Sequence, residues 1–245
     1  MEDSLRILEV CEATLGSASK NLLPRVVHLW QRSLHATEQE IAACYELLLP
    51  EERKKAARYR VERPRGDYIL TRGTLRYLLS KYLKAPPHEI TFEYTEYDKP
   101  FLRNSALRFN VSHTEGLAIL GFTLNRELGV DVEKVRAQTD AHTLAERFFS
   151  AHERQTLRDL SGDELHAAFF RCWTRKEAYI KAIGEGLSLP LHQFDVSLEP
   201  DPEQALLATR PDPKEAERWI IRNIAVQAGY AAALAVEKIG IARTV

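Results

Sequence analysis

The sequence predicts an α+β protein made of two similar halves, each with one long helix and several strands. Short segments alternate apolar and polar residues, whereas residues 67–83 and 163–183 carry apolar residues at helical spacing. Each of these long segments contains a Thr-Arg pair and is followed by a similar segment, RFNVSH (108–113) or QFDVSL (193–198). This self-similarity predicts two related halves that meet near residues 124–125.

The first half is predicted to cover residues 21–124, after an N-terminal tail over residues 1–20. RVVHLWQRSL (25–34) is typical of a strand. Thr37 followed by Glu40 predicts a capping box that opens a helix, and Pro50 suits the first turn of the next one. After the long helix, the segments EITFEY, LRFNVS and LAILGFTL alternate as strands do.

The second half, residues 125–245, repeats this order. It opens with the strand LGVDVE (128–133), and helices are predicted over 140–149, 150–160 and 163–183. Ser150 and Glu153 have the spacing of a capping box, which favours helix capping over chemistry for Glu153. The strands FDVSL, RWIIRNI and GYAAALAV follow.

Composition and charge bound the function classes. The net charge is −1, which does not favour binding to nucleic acid or to a membrane surface. The most apolar late stretch, 219–236, is interrupted by polar residues and cannot span a membrane. Three cysteines without a CxxC motif indicate reduced, buried thiols. With no signal-peptide pattern at the start, we expect a cytoplasmic protein, and the two-half plan favours a monomer.

Asp131 and Glu133 form the first candidate site. Side chains alternate along a strand, so these two carboxylates share one face and repel each other. Carboxylate oxygens are hard ligands that suit Mg²⁺ or Mn²⁺, which would relieve the repulsion. The alternative is an exposed edge strand whose charges deter aggregation.

Glu177 supplies a third carboxylate, one helical turn before Lys181. The alternative for this pair is an ordinary surface ion pair. However, the segment FFRCWTRKEAYIK is mostly apolar, which favours a half-buried cleft. There a carboxylate could bind a metal or accept a proton, and an amine could neutralise phosphate oxygens.

Several other residues are candidates for binding phosphate. Ser112 and His113 end a strand, although a simple turn would use the same residue types. Lys99 precedes Pro100, whose fixed φ makes its loop rigid. The segment EERKKAARYRVERPR (51–65) is strongly basic, as either a phosphate-binding patch or a solvated helix face.

Taken together, these segments resemble the Sfp-type 4′-phosphopantetheinyl transferases. The family's G-[VI]-D-[VI]-E strand stands here as GVDVE (129–133), and its W-x-x-K-E-[AS]-x-x-K helix as WTRKEAYIK (173–181). RFFSAHE, GEGLSLPL, FNVSH and YDKP also fit, and the resemblance covers roughly residues 50–236. It implies the 4′-phosphopantetheinyl transferase fold, in which two α+β halves are related by a pseudo-twofold axis and bind coenzyme A between them.

The resemblance also implies a reaction. The 4′-phosphopantetheine arm of coenzyme A moves to a serine of an apo acyl, aryl or peptidyl carrier protein, and adenosine 3′,5′-bisphosphate leaves. Such carriers serve fatty acid, polyketide or nonribosomal peptide synthesis. Asp131, Glu133 and Glu177 would bind Mg²⁺ or Mn²⁺, with Glu177 as general base and Lys181 neutralising the leaving diphosphate.

The same resemblance assigns the contacts to coenzyme A. Ser112 and His113 would bind its phosphates, and Lys99 with Pro100 would line the adenine end. Arg63, followed by Lys55, would bind the ribose 3′-phosphate, since guanidinium pairs with phosphate through two hydrogen bonds. In YDKP, Asp98 replaces the usual Gly, and Asp tolerates a positive φ better than most residues.

Two other functions use the same residues. One is a metal-dependent hydrolase of nucleotides or of the diphosphate in coenzyme A. The other is a non-catalytic module that binds coenzyme A or a carrier. All four acid and base positions, Asp131, Glu133, Glu177 and Lys181, are intact, which favours the transferase.

Overall fold

The structure is a computed structural model, and it describes residues 6–12, 22, 26–184 and 186–239. Within these residues, the first half contains six strands and three α-helices. The strands are β1 (Arg6–Glu12), β2 (Val26–Ser33), β3 (Glu93–Tyr94), β4 (Pro100–Phe101), β5 (Leu107–Thr114) and β6 (Leu117–Leu124). The helices are α1 (Glu38–Glu46), α2 (Pro50–Ala57) and the long α3 (Glu62–Leu83).

The second half contains the remaining five strands and three helices. Its strands are β7 (Leu128–Lys134), β8 (Phe194–Val196), β9 (Leu206–Thr209), β10 (Trp219–Asn223) and β11 (Tyr230–Glu237). Its helices are α4 (Ala141–Phe148), α5 (Ala151–Arg158) and the long α6 (Gly162–Ile183). Both predicted capping boxes that open α1 and α5 are formed, which confirms helix capping for Glu153.

The two halves repeat one topology. A strand is followed by two short helices, one 22-residue helix, a small two-stranded sheet and two final strands. The central strand order is β2-β6-β5 in the first half and β7-β11-β10 in the second, and all of these neighbours pair antiparallel. The predicted α+β fold of two similar halves is therefore confirmed.

A buried ion pair also recurs in the two halves. In the first, Glu52 near the start of α2 pairs with Arg76 of α3, and in the second Glu153 pairs with Lys176 of α6 at 2.7 Å. Arg76 donates to the carbonyls of Pro87 and Ile90. Lys176 likewise donates to two carbonyls of the segment after α6. Each ion pair therefore joins a short helix to the long helix, and its cation also binds the segment that follows the long helix.

The segments that first indicated the repeat are not its structural counterparts. RFNVSH lies on β5, whereas QFDVSL runs through β8, and the topology matches β5 to β10 instead. The Thr-Arg pairs also occupy different positions in the two long helices. When the helices are aligned from their first residues, Arg76 corresponds to Lys176, whereas Thr71 does not correspond to Thr174. The repeat is carried by strand order and buried ion pairs, not by these short sequence similarities.

Each long helix packs on the sheet of its own half. Aromatic and aliphatic residues of α3 meet Trp30, Phe109 and Phe122 of the first sheet. Helix α6 packs on β7 and β11, where alternate alanines of β11 leave room for its side chains. Apolar residues on the opposite faces of β7 and β11 meet β2 and β6 in a shared core that joins the halves.

The N-terminal segment departs from the prediction. Residues 6–12 form β1, which pairs parallel with β2 at the edge of the first sheet, although residues 1–20 were expected to be a tail. The strand RILEVCE shows no regular alternation, so its pattern did not reveal a pairing that depends on a distant strand. Residues 1–5 and 13–20 lie outside the described residues.

Two further expectations concern the cysteines and the membrane. Cys44 and Cys172 are buried free thiols, and burial raises the pKa of both. Over the described ranges, no helix is long and apolar enough to cross a membrane.

Candidate active site

Strands β5 and β7 lie side by side where the two sheets meet, and polar side chains of β5 bridge the gap. Asn110 Oδ1 accepts a hydrogen bond from the backbone N–H of Val130 at 2.9 Å. Two residues further on, Ser112 donates to Asp131, and next Thr114 donates to Glu133 at 3.2 Å. One face of β5 therefore orients the acidic face of β7.

Helix α6 approaches the same strand at Gly129. A Cβ atom at this position would lie 2.1 Å from the carbonyl oxygen of Ala178 and 2.4 Å from the backbone nitrogen of Ala182. Real Cβ atoms do not approach this closely, so only glycine permits the contact. This close approach places Lys181, in the last turn of α6, above Asp131.

Asp131 lies at the centre of the site and is only 3% exposed. Its Oδ1 atom accepts hydrogen bonds from Lys181 Nζ at 2.5 Å and from Ser112 Oγ at 2.8 Å. Lys181 Nζ also donates to Ser112 Oγ at 3.0 Å. The second oxygen, Oδ2, is buried and has no hydrogen-bond partner in the described part of the chain. A buried oxygen of this kind is costly unless a ligand satisfies it.

Glu133 and Glu177 are half-buried and share the electrostatic field of Asp131. Burial raises the pKa of Glu133, and the Asp131 carboxylate raises it further. Burial likewise raises the pKa of Glu177, with further increases caused by Asp131 and Glu133 and an opposing effect of Lys181. The three predicted carboxylates therefore repel one another in one location.

These acids do not form a closed metal cage. Within residues 6–12, 22, 26–184 and 186–239, no three His, Cys, Asp or Glu side chains are arranged closely enough to hold a metal ion. The cation that contacts Asp131 in this arrangement is Lys181. The metal role of the three acids stays a prediction.

Arg63 and His113 line one cleft of about 360 Å³, together with Tyr59, Asp67 and Glu115. His113 is exposed to solvent, yet its surroundings partly desolvate the imidazole. This desolvation lowers the pKa of His113, while the Asp67 carboxylate opposes the shift. Arg63 is about half exposed and pairs with Glu115 at 3.0 Å. A cleft with this arginine and this histidine can bind a phosphate group.

The remaining predicted contacts lie around this cleft or apart from it. Lys55 is exposed and sits 5.5 Å from the ring centre of Tyr68, which in turn packs against Tyr59 of the cleft. Lys99 and Pro100 line a separate cavity of about 270 Å³ beside the end of α6. Asp98 has φ +59°, a conformation that Asp tolerates better than most residues other than Gly.

Two predicted residues have partners that the sequence did not indicate. Ser112 was expected to bind a phosphate of coenzyme A, but its hydroxyl is buried between Asp131 and Lys181. Lys99 was expected at the adenine end, but its amine pairs with Glu127 and donates to the carbonyl of Ala182. Their contacts with coenzyme A stay predictions.

Sequence reasoning missed three residues of this region. Thr114 contacts Glu133, Glu115 contacts Arg63, and Gly129 permits the approach of α6. The alternation in LRFNVSHT, which places Ser112 and Thr114 on one face, could have revealed Thr114. No local pattern could have revealed Glu115, and the GVDVE motif contains Gly129 without indicating its contact with α6, because both partners lie far away in the sequence.

Comparisons with known proteins agree with this architecture. The model of the 4′-phosphopantetheinyl transferase superfamily matches residues 127–235, and that of the 4′-phosphopantetheinyl transferase N-terminal region matches residues 32–123. These matches fall on the two repeated halves and define the class as phosphopantetheinyl transferases.

Two relatives that are 4′-phosphopantetheinyl transferases, HetI and Sfp, support the assignment. The chain is 34% identical to the 4′-phosphopantetheinyl transferase HetI of Nostoc sp., with 89% of this chain and 91% of the relative covered. It is 31% identical to the 4′-phosphopantetheinyl transferase Sfp of Bacillus subtilis, with 67% and 73% covered. A crystal structure of a holo-(acyl-carrier-protein) synthase from Bacillus anthracis in complex with CoA matches with TM-score 0.36 and 20% identity, covering 46% of this chain and 95% of that chain.

The chain belongs to the 4′-phosphopantetheinyl transferase family. The predicted enzyme class and reaction are confirmed: the protein transfers the 4′-phosphopantetheine arm of coenzyme A to a carrier protein. The family membership supports neither the hydrolase nor the non-catalytic alternative.

Proposed function

We propose that Asp131, Glu133 and Glu177 bind Mg²⁺, or Mn²⁺ in its place, while the enzyme transfers phosphopantetheine to the serine of an apo carrier protein. The observation that carries this proposal is the buried Oδ2 atom of Asp131, which lacks a hydrogen-bond partner in the described part of the chain. It belongs to the carboxylate that, together with burial, raises the pKa of Glu133 and of Glu177. A divalent cation would satisfy this oxygen and offset the repulsion.

The donor set fits a magnesium ion. Mg²⁺ prefers oxygen ligands and usually takes one or two carboxylates together with waters and substrate phosphates. When bound, the ion would stabilise the charge that develops on the phosphoryl group in transfer.

Glu177 is the proposed general base. A serine hydroxyl is a weak nucleophile, so a carboxylate that accepts its proton accelerates attack. The raised pKa of Glu177 makes it a stronger base than an ordinary exposed glutamate. In this reaction the serine oxygen forms a bond to the phosphorus that carries the pantetheine arm, and the phosphorus–oxygen bond within the diphosphate breaks.

Lys181 is proposed to assist the leaving group. Its ammonium lies at the same cluster as the base and can neutralise charge on the departing adenosine 3′,5′-bisphosphate. Asp131 and Ser112 orient it through hydrogen bonds of 2.5 and 3.0 Å.

The cleft between Arg63 and His113 is the proposed site of the phosphates at the nucleotide end. Arg63 would exchange Glu115 for the ribose 3′-phosphate, which can accept two hydrogen bonds from the guanidinium. Lys55 is expected at the same end. Pro100, which lines the neighbouring cavity, is expected to flank the adenine, while the Lys99 amine stays with Glu127 and the carbonyl of Ala182.

The carrier is proposed to dock on residues 134–160, beside β7. Carrier proteins are usually acidic, and this region presents exposed or half-exposed cations such as Arg136, Arg147 and Arg158. We further expect a monomeric, cytoplasmic enzyme that binds neither nucleic acid nor membranes, which gel filtration with light scattering and cell fractionation would check.

One experiment tests the metal and the transfer together. Purified protein is incubated with coenzyme A and a panel of apo carriers, with Mg²⁺ or with EDTA, and intact mass spectrometry follows the carriers. We expect the mass of the phosphopantetheine arm to appear only with metal. Calorimetric titration with Mn²⁺ should then show binding to the wild type and to Glu203→Ala, an exposed control, but not to Asp131→Ala. Full transfer in EDTA, or Mn²⁺ binding unchanged by Asp131→Ala, would remove the metal assignment.

A further inference from the structure

The amine of Lys99 lies at the C-terminal end of α6, where Lys181 is located. We propose that Lys99 and Glu127 are positioning residues: together they hold the last turn of α6 so that the Lys181 ammonium stays on Asp131. The importance of Lys181 itself rests on the proposed function.

The last carbonyls of a helix lack partners within the helix and attract cations. Lys99 Nζ donates a hydrogen bond of 2.9 Å to the carbonyl oxygen of Ala182, one of these orphan groups. A longer contact of 3.5 Å reaches the carbonyl oxygen of Leu128, at the start of β7. One amine from the first half therefore joins the end of α6 to the strand that carries Asp131.

Glu127 holds this amine in place. Its Oε2 atom lies 3.0 Å from Lys99 Nζ, and its Oε1 atom accepts a hydrogen bond of 3.0 Å from Arg108. Burial raises the pKa of Glu127, but Lys99 and Arg108 together outweigh this effect, so the net shift is downward. The carboxylate is therefore ionised at neutral pH and fixes the lysine between β5 and β7.

The connection to Lys181 is short. Ala182 follows Lys181 directly, and Gly184, which ends the helix with φ +83°, lies against the Lys99 side chain. On the other side, the backbone of this turn rests on Gly129. Contacts on both sides restrict the movement of the last turn of α6 and therefore of Lys181. The hydrogen bond of 2.5 Å from Lys181 to Asp131 requires such a fixed position.

The burial of Lys99 supports a positioning role. Its side chain is 13% exposed, and its amine already contacts one carboxylate and two carbonyl oxygens. A direct contact with coenzyme A would require this amine to leave partners that satisfy it.

Hydrogen–deuterium exchange tests whether Lys99 and Glu127 hold the last turn of α6, without relying on activity. Lys99→Met and Glu127→Gln should each accelerate exchange of the amides near the end of α6, including the Gly184 N–H that donates to Ile180. We expect about tenfold acceleration, the effect of losing one charge-assisted hydrogen bond. Glu93→Gln is the matched control, because it removes an exposed pair with Arg103 beside the same hairpin. Exchange at α6 that is unchanged in both variants would overturn the proposal.

Steady-state kinetics and a double-mutant cycle then test whether Lys99 and Glu127 act through Lys181. Lys99→Met and Glu127→Gln should lower kcat about tenfold with little change in KM for coenzyme A, and Lys99→Arg should restore part of it. In a Lys181→Ala background, the same substitutions should add almost nothing. Full additivity, or a rise in KM without a fall in kcat, would overturn positioning through Lys181. If Lys181→Ala alone leaves kcat unchanged, the proposed role of Lys181 is wrong. The exchange data still decide whether Lys99 and Glu127 hold the last turn of α6.

Discussion

Lys181 Nζ lies 2.5 Å from Oδ1 of Asp131, and this pair joins the last turn of α6 to the first strand of the second half. Glu133 and Glu177 stand in the same electrostatic field. Burial and the Asp131 carboxylate raise the pKa of both glutamates, and the Lys181 ammonium only partly opposes these effects. We propose that a further cation offsets this repulsion and that the diphosphate of coenzyme A accompanies it.

Replacing Asp131 by alanine should abolish metal-dependent transfer. The substitution removes the proposed central oxygen ligands, and the lost stabilisation of several kcal/mol corresponds to a decrease in kcat of about 100-fold or more. The fold should survive, because Lys181 is partly exposed and can be solvated. Transfer to an apo carrier is measured by mass spectrometry and folding by circular dichroism, with Glu203→Ala as control. Near-normal turnover would count against the metal assignment.

Replacing Glu177 by glutamine should abolish turnover but stabilise the metal-free protein at neutral pH. The folded-state pKa of Glu177 is raised, so its ionisation destabilises the fold, and this penalty is absent below the unfolded pKa. Each kcal/mol relieved should increase Tm by about 2–4 °C in a domain of this size. Melting curves in EDTA from pH 8 down to pH 5.5 provide the measurement.

The pH dependence distinguishes this explanation from a general packing effect. The Tm advantage of Glu177→Gln should shrink as the pH falls toward the raised pKa, because the wild-type carboxyl then becomes protonated and uncharged. A constant difference at all pH values would show that electrostatic repulsion is not the cause. Unchanged turnover would remove Glu177 as the base.

Elements with local signals were predictable from the sequence. Thr37 and Glu40, like Ser150 and Glu153, start helices through capping boxes that involve only four residues. The pair Asp131 and Glu133 shares a face because alternation is a local property of any strand. The position of both carboxylates on one face of β7 was therefore predictable from a short stretch of sequence.

Contacts between distant segments were not predictable in this way. Ser112 reaches Asp131 only because β5 and β7 run side by side without backbone pairing, which no local pattern encodes. Lys99 contacts Ala182, 83 positions away. Strand β1 required a parallel partner that the alternation of its own residues did not reveal. Such features depend on topology, which sequence periodicity constrains only loosely.

Arg63→Ala should raise the KM for coenzyme A more than the KM for dephospho-coenzyme A. The guanidinium is proposed to bind the 3′-phosphate, and only coenzyme A carries this group. Losing one charge-assisted contact should raise the KM about tenfold. Steady-state kinetics with both substrates provides the measurement, and equal effects on both would rule out a contact with the 3′-phosphate.

Glu115→Gln provides a complementary test at the same cleft. The pKa of Glu115 is lowered to about 2 by Lys134 and Arg63, so the carboxylate stays charged and competes with phosphate for Arg63. Removing its charge should lower the KM for coenzyme A, and this benefit should disappear in an Arg63→Ala background. A higher KM would show that Glu115 orients Arg63 instead of competing for it.

Gly129→Ala should destabilise the protein and displace Lys181. The added Cβ would lie 2.1 Å from the carbonyl oxygen of Ala178, so β7 and α6 must move apart. Overpacking of this kind costs about 1–3 kcal/mol in unfolding free energy, and the lysine that reaches Asp131 would move with the helix. Gly66→Ala is the matched control, because the added Cβ would meet only Ile41 Cδ1, at an ordinary distance of 3.6 Å. Gly66 lies within helix α3, where replacing glycine by alanine stabilises the helix by about 0.5–1 kcal/mol. Urea denaturation and kcat measure the two effects, and a Gly129→Ala protein with wild-type stability and turnover would show that the close approach of α6 is not required.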